Sequence, residues 1–201
     1  MPRPSRAHEK RNELIAAARQ AVLARGVLDL RLRDVADQAA MSTGSVLYYF
    51  PKLGELLYEV LGEAIERFCV SREEAARDEP DPRRRLTGMI RAGLPSAKDD
   101  ELCVLLYELG AYARRNPFYA AQHIRLYERQ VALYQAILDA GSATGVFNLT
   151  RDATTIARGL VALEDGLGLH ITHAVPTFTI AQAEAMLIAY AADATRCDLG
   201  V

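Results

Sequence analysis

The chain has 201 residues and a formal net charge of −2, with half of its residues hydrophobic and a quarter charged. That is enough chain to bury a core in one large or two small domains, and no apolar run approaches the roughly 20 residues of a membrane-spanning helix. The basic opening, MPRPSRAHEKRNE, leads into a charged helix, so it does not read as a secretory signal and the expected location is the cytoplasm. Cys69, Cys103 and Cys197 are far apart and form no CxxC, which reads as small hydrophobes in a reducing compartment.

The small total charge hides an asymmetry. Residues 1–52 carry nine Lys/Arg against five Asp/Glu, whereas the remainder carries fifteen against twenty-one. A basic head on a larger acidic body suggests a polyanionic partner for the head alone.

Val, Ile and Thr are scattered, and no run of four or more alternates as a strand would. A first helix is expected over 8–25, with Leu14, Ile15, Ala18, Val22 and Leu23 on one face and Gly26 as its stop. A short second helix follows, carrying Leu32, Val35, Ala36 and Ala39, with Asp29 as the best available N-cap. After a turn near residues 40–42 comes a third helix of about two turns. Leu53, Leu56, Leu57, Val60, Leu61, Ala64, Ile65 and Phe68 then give the fourth helix a regular apolar stripe, ended by RDEPDP at 77–82. A fifth helix is expected over 83–92. The sixth, ELCVLLYELGAYARR, is apolar nearly all round, which predicts a central, buried position. Pro117 opens a long seventh helix that runs to DAGSATGVF. The eighth (about 152–172) carries Ile156, Gly159, Leu160, Leu163, Gly166, Leu167 and His170 along one stripe, and an alanine-rich ninth covers about 178–195. The expected fold is all-α, with nine helices and no sheet.

The third helix has an unusual outer face. With Val46, Leu47 and Phe50 turned toward the neighbouring short helices, Tyr48 lies on the opposite side, flanked by Gly44 and Ser45. Tyr49 sits on the shoulder, Thr43 at the leading tip, and Ser42 in the capping position. A solvated face would favour Lys, Glu and Gln. Small hydroxyls, a glycine and tyrosines suit a helix tip that enters a DNA major groove.

These residues carry a resemblance. LRDVADQAAMSTGSVLYYFPKLGELL resembles the helix-turn-helix of the TetR family of bacterial transcriptional regulators, with its hydrophobic–Ala pair, turn, Ser-x-Gly-Ser and aromatic cluster ending in Phe. Three positions depart from the family pattern: Ala40 stands where glycine is common in the turn, Leu47 where a tyrosine is usual, and Leu53 where a phosphate-binding lysine is usual, with Lys52 next to it as the substitute. Further on, ILDAGSATGVFNLTRDATTIARGLVALEDGLGLHI resembles the C-terminal domain of the choline–betaine repressor type, in which the last two helices form the dimer interface. Gly159 and Gly166 independently thin one face of the eighth helix for a partner helix.

The resemblance implies a one-component regulator, most naturally a repressor released from a palindromic operator by a small-molecule effector. It implies a DNA-binding domain over 1–52, an effector-binding and dimerisation domain over 53–201, and a homodimer joined through the last two helices. Tyr48 is the expected base contact, Ser42, Tyr49 and Lys52 the phosphate contacts, with Thr43, Gly44 and Ser45 completing the surface. Arg3, Arg6, Lys10 and Arg11 read equally as a DNA-binding arm and as a solvated terminus.

Tyr107, Glu108, Tyr112, Tyr127, Tyr134 and Glu164 sit in apolar helices and read either as core residues with bonded polar ends or as the lining of an effector cavity. A buried Glu108 or Glu164 without a cationic partner would favour a cationic or hydrogen-bonding effector. His170 and His173 have i, i+3 spacing but lack the carboxylates or thiolates of a metal site, so interface histidines are expected and no metal or cofactor. No paired catalytic carboxylates or nucleophile–base set is visible, which ranks an all-helical enzyme or small-molecule-binding protein without DNA binding as the alternative.

Overall fold

The computed structural model describes residues 6–113 and 117–200, with side chains for all of these except residues 112, 113 and 117. Arg3 and the side chain of Tyr112 therefore lie outside the described residues. Among those described there are nine helices and no strand: α1 (Arg6–Arg25), α2 (Leu32–Gln38), α3 (Thr43–Tyr49), α4 (Leu53–Arg77), α5 (Pro82–Gly93), α6 (Glu101–Ala113), α7 (Pro117–Ala143), α8 (Ala153–Thr172) and α9 (Ile180–Thr195). The all-α architecture that the periodicity predicts is the one that forms. No helix among the described residues is long and apolar enough to cross a membrane.

The helices begin and end where the local chemistry asks them to. Asp152 accepts the Thr155 N–H at 2.8 Å to start α8, and Thr179 and Gln182 exchange side chain–backbone hydrogen bonds to start α9. Pro82 occupies the first turn of α5 behind the Asp81 cap. The start of α2 differs from expectation. Its N-cap is Arg31, whose N–H donates to Asp34 Oδ2 at 2.8 Å. Leu30 is drawn into the core, and Asp29 is left in the preceding bend, too early in the chain to meet the first-turn amides.

Two compact units divide the chain. The first comprises residues 1–66 and 104–123, and the second residues 67–103 and 124–201, so α4, α6 and α7 each have residues in both. In the first unit α1 packs on α2 and α2 on α3. Leu14, Ala17, Ala18, Ala21 and Val22 are the buried stripe of α1, at the i, i+3, i+4 spacing of one helix face, while Ile15 and Leu23 are only half-buried. In the second unit α9 packs on α8 and α5 around a core that includes Leu86, Ile90, Leu138, Leu160, Leu187 and Ala191. The α7–α8 connection closes over the end of α9, where Asn148 and Thr150 donate their N–H groups to the carbonyls of Thr195 and Ala194, both at 2.8 Å. Those carbonyls would otherwise lack partners at a helix end.

The α6 helix is not the fully buried element its composition suggests. Cys103, Leu105 and Leu109 are buried, but Leu102, Val104, Leu106 and Tyr107 are half-buried and Ala111 is exposed. Uniform apolarity says that a helix avoids water without saying how much of it the neighbouring helices cover.

Candidate nucleic-acid interface

The α3 helix is built on two buried anchors and one outward ring. Val46 and Phe50 are essentially buried, and Tyr48 is 81% exposed. Ser42 caps the helix, accepting the Ser45 N–H at 3.1 Å, with the two hydroxyls 2.8 Å apart. Thr43 and Gly44 are exposed at the leading end, and Lys52 is exposed just beyond α3. The Tyr48 and Tyr49 rings meet edge to face at 5.1 Å. Met41, Ser42, Gly44, Ser45, Tyr48 and Tyr49 thus line one open groove, and Lys10 from α1 joins them.

Leu47 departs from the expected orientation. It is 43% exposed rather than packed beside Val46 and Phe50. With Val46 and Phe50 about 40° apart on the helical wheel, Leu47 lies about 60° beyond Phe50, outside the narrow sector that two short neighbouring helices can cover. Ala40, which stands at the family's usual glycine, has φ +50°. The turn is therefore in the left-handed region with a Cβ present, which costs about 1–2 kcal/mol.

The basic residues near the N-terminus separate into two roles. Arg11 donates to the Tyr49 carbonyl at 2.9 Å and to Glu59 at 3.2 Å, and its guanidinium lies 4.2 Å from the centre of the Phe50 ring. It braces the C-terminal end of α3 against α1 and α4. Lys10, bonded to Glu13 on the exposed side, faces the open groove, and Arg6 is exposed.

Of the described residues considered for a ligand cavity, Tyr107 and Glu108 belong to the first unit and Tyr127, Tyr134 and Glu164 to the second. Tyr134 and Glu164 meet in the second unit, at a site the sequence reading missed because its centre is Arg72. That residue continues the apolar stripe of α4 one turn beyond Phe68 and is fully buried. It forms a bidentate ion pair with Glu164, at 2.9 and 3.0 Å, and also donates to Gln130 at 3.2 Å. The Tyr134 hydroxyl donates to the same carboxylate, and the guanidinium lies 5.2 Å from the Phe68 ring and 5.1 Å from the Tyr134 ring. Against the downward pull of burial, the Glu164 carboxylate and Tyr134 raise the Arg72 pKa, so the guanidinium stays charged. Burial, with Glu164 alongside, pushes the Tyr134 hydroxyl well above its ordinary value, so it keeps its proton and donates. Gly93 makes room for the cluster, since its missing Cβ would stand on the Glu164 carboxylate. Glu164 is therefore buried with a cationic partner. An arginine at the next position of an apolar stripe was the available signal.

Glu108 belongs to the first unit, where it accepts the backbone N–H of Val27 at 3.1 Å. Tyr107 is half-buried and Tyr127 is 40% exposed. In α8, Gly159 admits the Tyr190 hydroxyl of α9, so that glycine serves packing within the chain, whereas nothing lies within 4 Å of a Cβ at Gly166. Gly166 shares the exposed faces of α8 and α9 with Ala162, Leu169, Ala185, Met186 and Ala189. The His170 ring stands edge-on to Phe178 at 6.0 Å.

Comparison with known proteins agrees with this geometry. Residues 14–60 match the bacterial regulatory proteins of the TetR family, and residues 82–196 match the C-terminal part of BetI-type transcriptional repressors. The nicotine-responsive HTH-type transcriptional repressor HdnoR of Paenarthrobacter nicotinovorans is 27% identical over 80% of this chain and 82% of its own. The HTH-type transcriptional repressor KstR2 of Mycolicibacterium smegmatis is 24% identical over 77% of this chain and 76% of its own. The crystal structure of a TetR transcription regulator from Haloarcula marismortui superposes with a TM-score of 0.82, at 24% identity, over 92% of this chain and 98% of that one. The outward tyrosine of a capped, two-turn helix and the matches over residues 14–60 and 82–196 lead to one conclusion: the chain belongs to the TetR family of DNA-binding transcriptional regulators, with the C-terminal domain of the BetI-type repressors.

Proposed function

We propose that the protein works as a homodimeric repressor that leaves a palindromic operator when a small molecule binds. Residues 1–52 form its DNA-binding domain and residues 53–201 the domain that receives the effector and the partner subunit. The two α3 helices enter successive major grooves about 34–36 Å apart. Tyr48 contacts base edges, Thr43, Gly44 and Ser45 let the backbone approach, and Ser42, Tyr49, Lys52 and Lys10 meet phosphates. The outward, small-residue faces of α8 and α9 around Gly166 pack against their symmetry mates as a four-helix core. Release by a small molecule is supported by the nicotine-responsive relative. Tyr134, Glu164 and Glu108 are held by partners within the chain, and Tyr127, 40% exposed on α7, is the described residue we retain as a candidate to line the effector site.

The observation that carries this reading is Tyr48, a large ring left 81% exposed on a helix whose opposite side is anchored. Tyr48→Ala is expected to weaken binding to the DNA upstream of the protein's own gene by about tenfold or more, an amount typical of losing a good base contact. Thermal stability should stay within a degree or two, because the ring contributes little to the core. Mutant and parent binding that DNA equally well in a fluorescence-anisotropy titration would remove Tyr48 from the interface.

A further inference from the structure

The first compact unit contains a stretch from far along the chain. Residues 104–123, from the end of α6 and the start of α7, belong to it together with residues 1–66. This stretch holds the helix-turn-helix at the two points where the chain enters and leaves it. At the entry, Gly26 ends α1 with φ +74°, a conformation that glycine adopts without strain. The next residue, Val27, is buried, and its N–H donates to Glu108 Oε2 of α6 at 3.1 Å. At the exit, the Tyr119 hydroxyl of α7 donates to the Gly54 carbonyl in the first turn of α4. One turn further along α7, Gln122 is buried against Gly62, with its amide nitrogen 2.9 Å from where a Cβ would stand. The Tyr58 ring of α4 lies 4.2 Å from Phe118 and 5.9 Å from Tyr119.

Both grips use backbone atoms on the head side. Neither depends on which side chains the head presents to DNA, so the clasp can fix the position of α2 and α3 without taking part in base reading. Both also depend on where α6 and α7 lie, and these helices continue into the second unit.

We infer that Glu108 and Tyr119 are positioning residues: they fix the DNA-binding head in the orientation that fits the operator. This rests on the dimeric, DNA-binding reading above. In a dimer, holding each head in place sets the separation of the two α3 helices, so loosening the clasp should blur the preference for one half-site spacing. A loss of folding alone would lower affinity for every duplex by the same factor.

The test uses the full-length protein and duplexes that carry its footprinted upstream site, either intact or with the half-site spacing changed by one or two base pairs. Hydrogen exchange at the Val27 amide and the melting temperature are measured in parallel. Glu108→Ala is expected to speed Val27 exchange at least tenfold, to weaken binding to the intact site about tenfold, within the usual range of coupling between sites, and to reduce the discrimination against altered spacing at least threefold. Glu108→Gln keeps a carbonyl oxygen for the Val27 N–H and should restore most of all three. Tyr119→Phe, which removes only the hydroxyl, should lower spacing discrimination in the same direction. If Glu108→Ala frees the Val27 amide but leaves affinity and spacing preference unchanged, the clasp does not position the head. An equal loss on every duplex, tracking a lower melting temperature, would reduce it to a folding contact. Wild-type protein that fails to bind its upstream DNA at all would overturn the regulatory reading itself, and this inference with it.

Discussion

Arg72 and Glu164 show how one buried pair commits four helices to one another. The guanidinium comes from α4, the carboxylate from α8, and α7 supplies Tyr134 and Gln130, while α5 supplies Met89 Sδ, 3.3 Å from Arg72 Nε, and the space at Gly93. Taking two charges out of water is costly, and only close pairing with further hydrogen bonds offsets it. Removing one partner leaves the other buried without its counter-ion. Burial already raises the Glu164 pKa, so that carboxyl takes up a proton when Arg72 is lost, whereas Arg72 without Glu164 stays charged and unpaired. Arg72→Met or Glu164→Leu alone is therefore expected to cost about 3–5 kcal/mol, read from urea unfolding. The combined Arg72→Met, Glu164→Leu, Tyr134→Phe variant should recover more than half of that loss, because it leaves no orphaned charge. Losses that simply add across the three substitutions would show that the groups are not energetically coupled. The surface ion pairs, such as Arg91 with Glu184 at 2.6 Å, call for no comparable effect, since water screens them.

At the scale of single elements, two local features can be tested separately. The Thr155 hydroxyl and the backbone N–H bonded to Asp152 hold that carboxyl below the usual carboxylate range. A depressed folded-state pKa means that the cap stabilises fully above the unfolded value of about 3.9 and is lost as the pH falls through the folded value. Asp152→Ala should melt at a lower temperature than the parent at neutral pH, and the gap should close in acid below about pH 4. A gap that stays constant with pH would mean that the charge plays no part in capping α8. The turn between α2 and α3 offers the second test. Glycine at position 40 relieves the strain of φ +50° but adds freedom to the unfolded chain, so Ala40→Gly should stabilise by about 0.5–1 kcal/mol. That corresponds to a rise of about 1–4 °C in Tm. An unchanged or lower Tm would show that the left-handed alanine is not strained. Cys103 illustrates a third local effect: burial, reinforced by Asp100, pushes its thiol up to about 12, which suits a packing residue rather than a nucleophile.

For the whole molecule, the basic head on the acidic body has a measurable consequence. Residues 1–52 have four more Lys/Arg than Asp/Glu, and the rest of the chain has six fewer. Attraction to DNA is thus confined to the head and comes largely from phosphate contacts, which release condensed counterions. In the proposed dimer, with several phosphate contacts from each head, affinity should fall on the order of 10³-fold or more between 50 and 200 mM salt. The plot of log affinity against log salt should be linear. A flat plot over that range would contradict an electrostatic head, whatever the fate of Tyr48.

The sequence by itself determined what is local. Helix periods, the Ser42 cap of α3, the stop at Gly26 and the outward placement of Tyr48 all follow from residues within a turn or two of one another, and each was legible in the chain. The helix-turn-helix was legible for the same reason, because its residues lie within one short stretch. Tertiary structure decided the rest. That Glu164 would find Arg72, 92 positions away, and that Glu108 would hold the Val27 amide, 81 positions away, depends on which helices meet. Leu47 stayed exposed, and α6 stayed half-buried, for want of enough neighbours to cover them. Periodicity tells a helix which of its faces avoids water, but only packing supplies the partner, and a buried carboxylate looks alike in sequence whether it waits for a ligand or already holds an arginine.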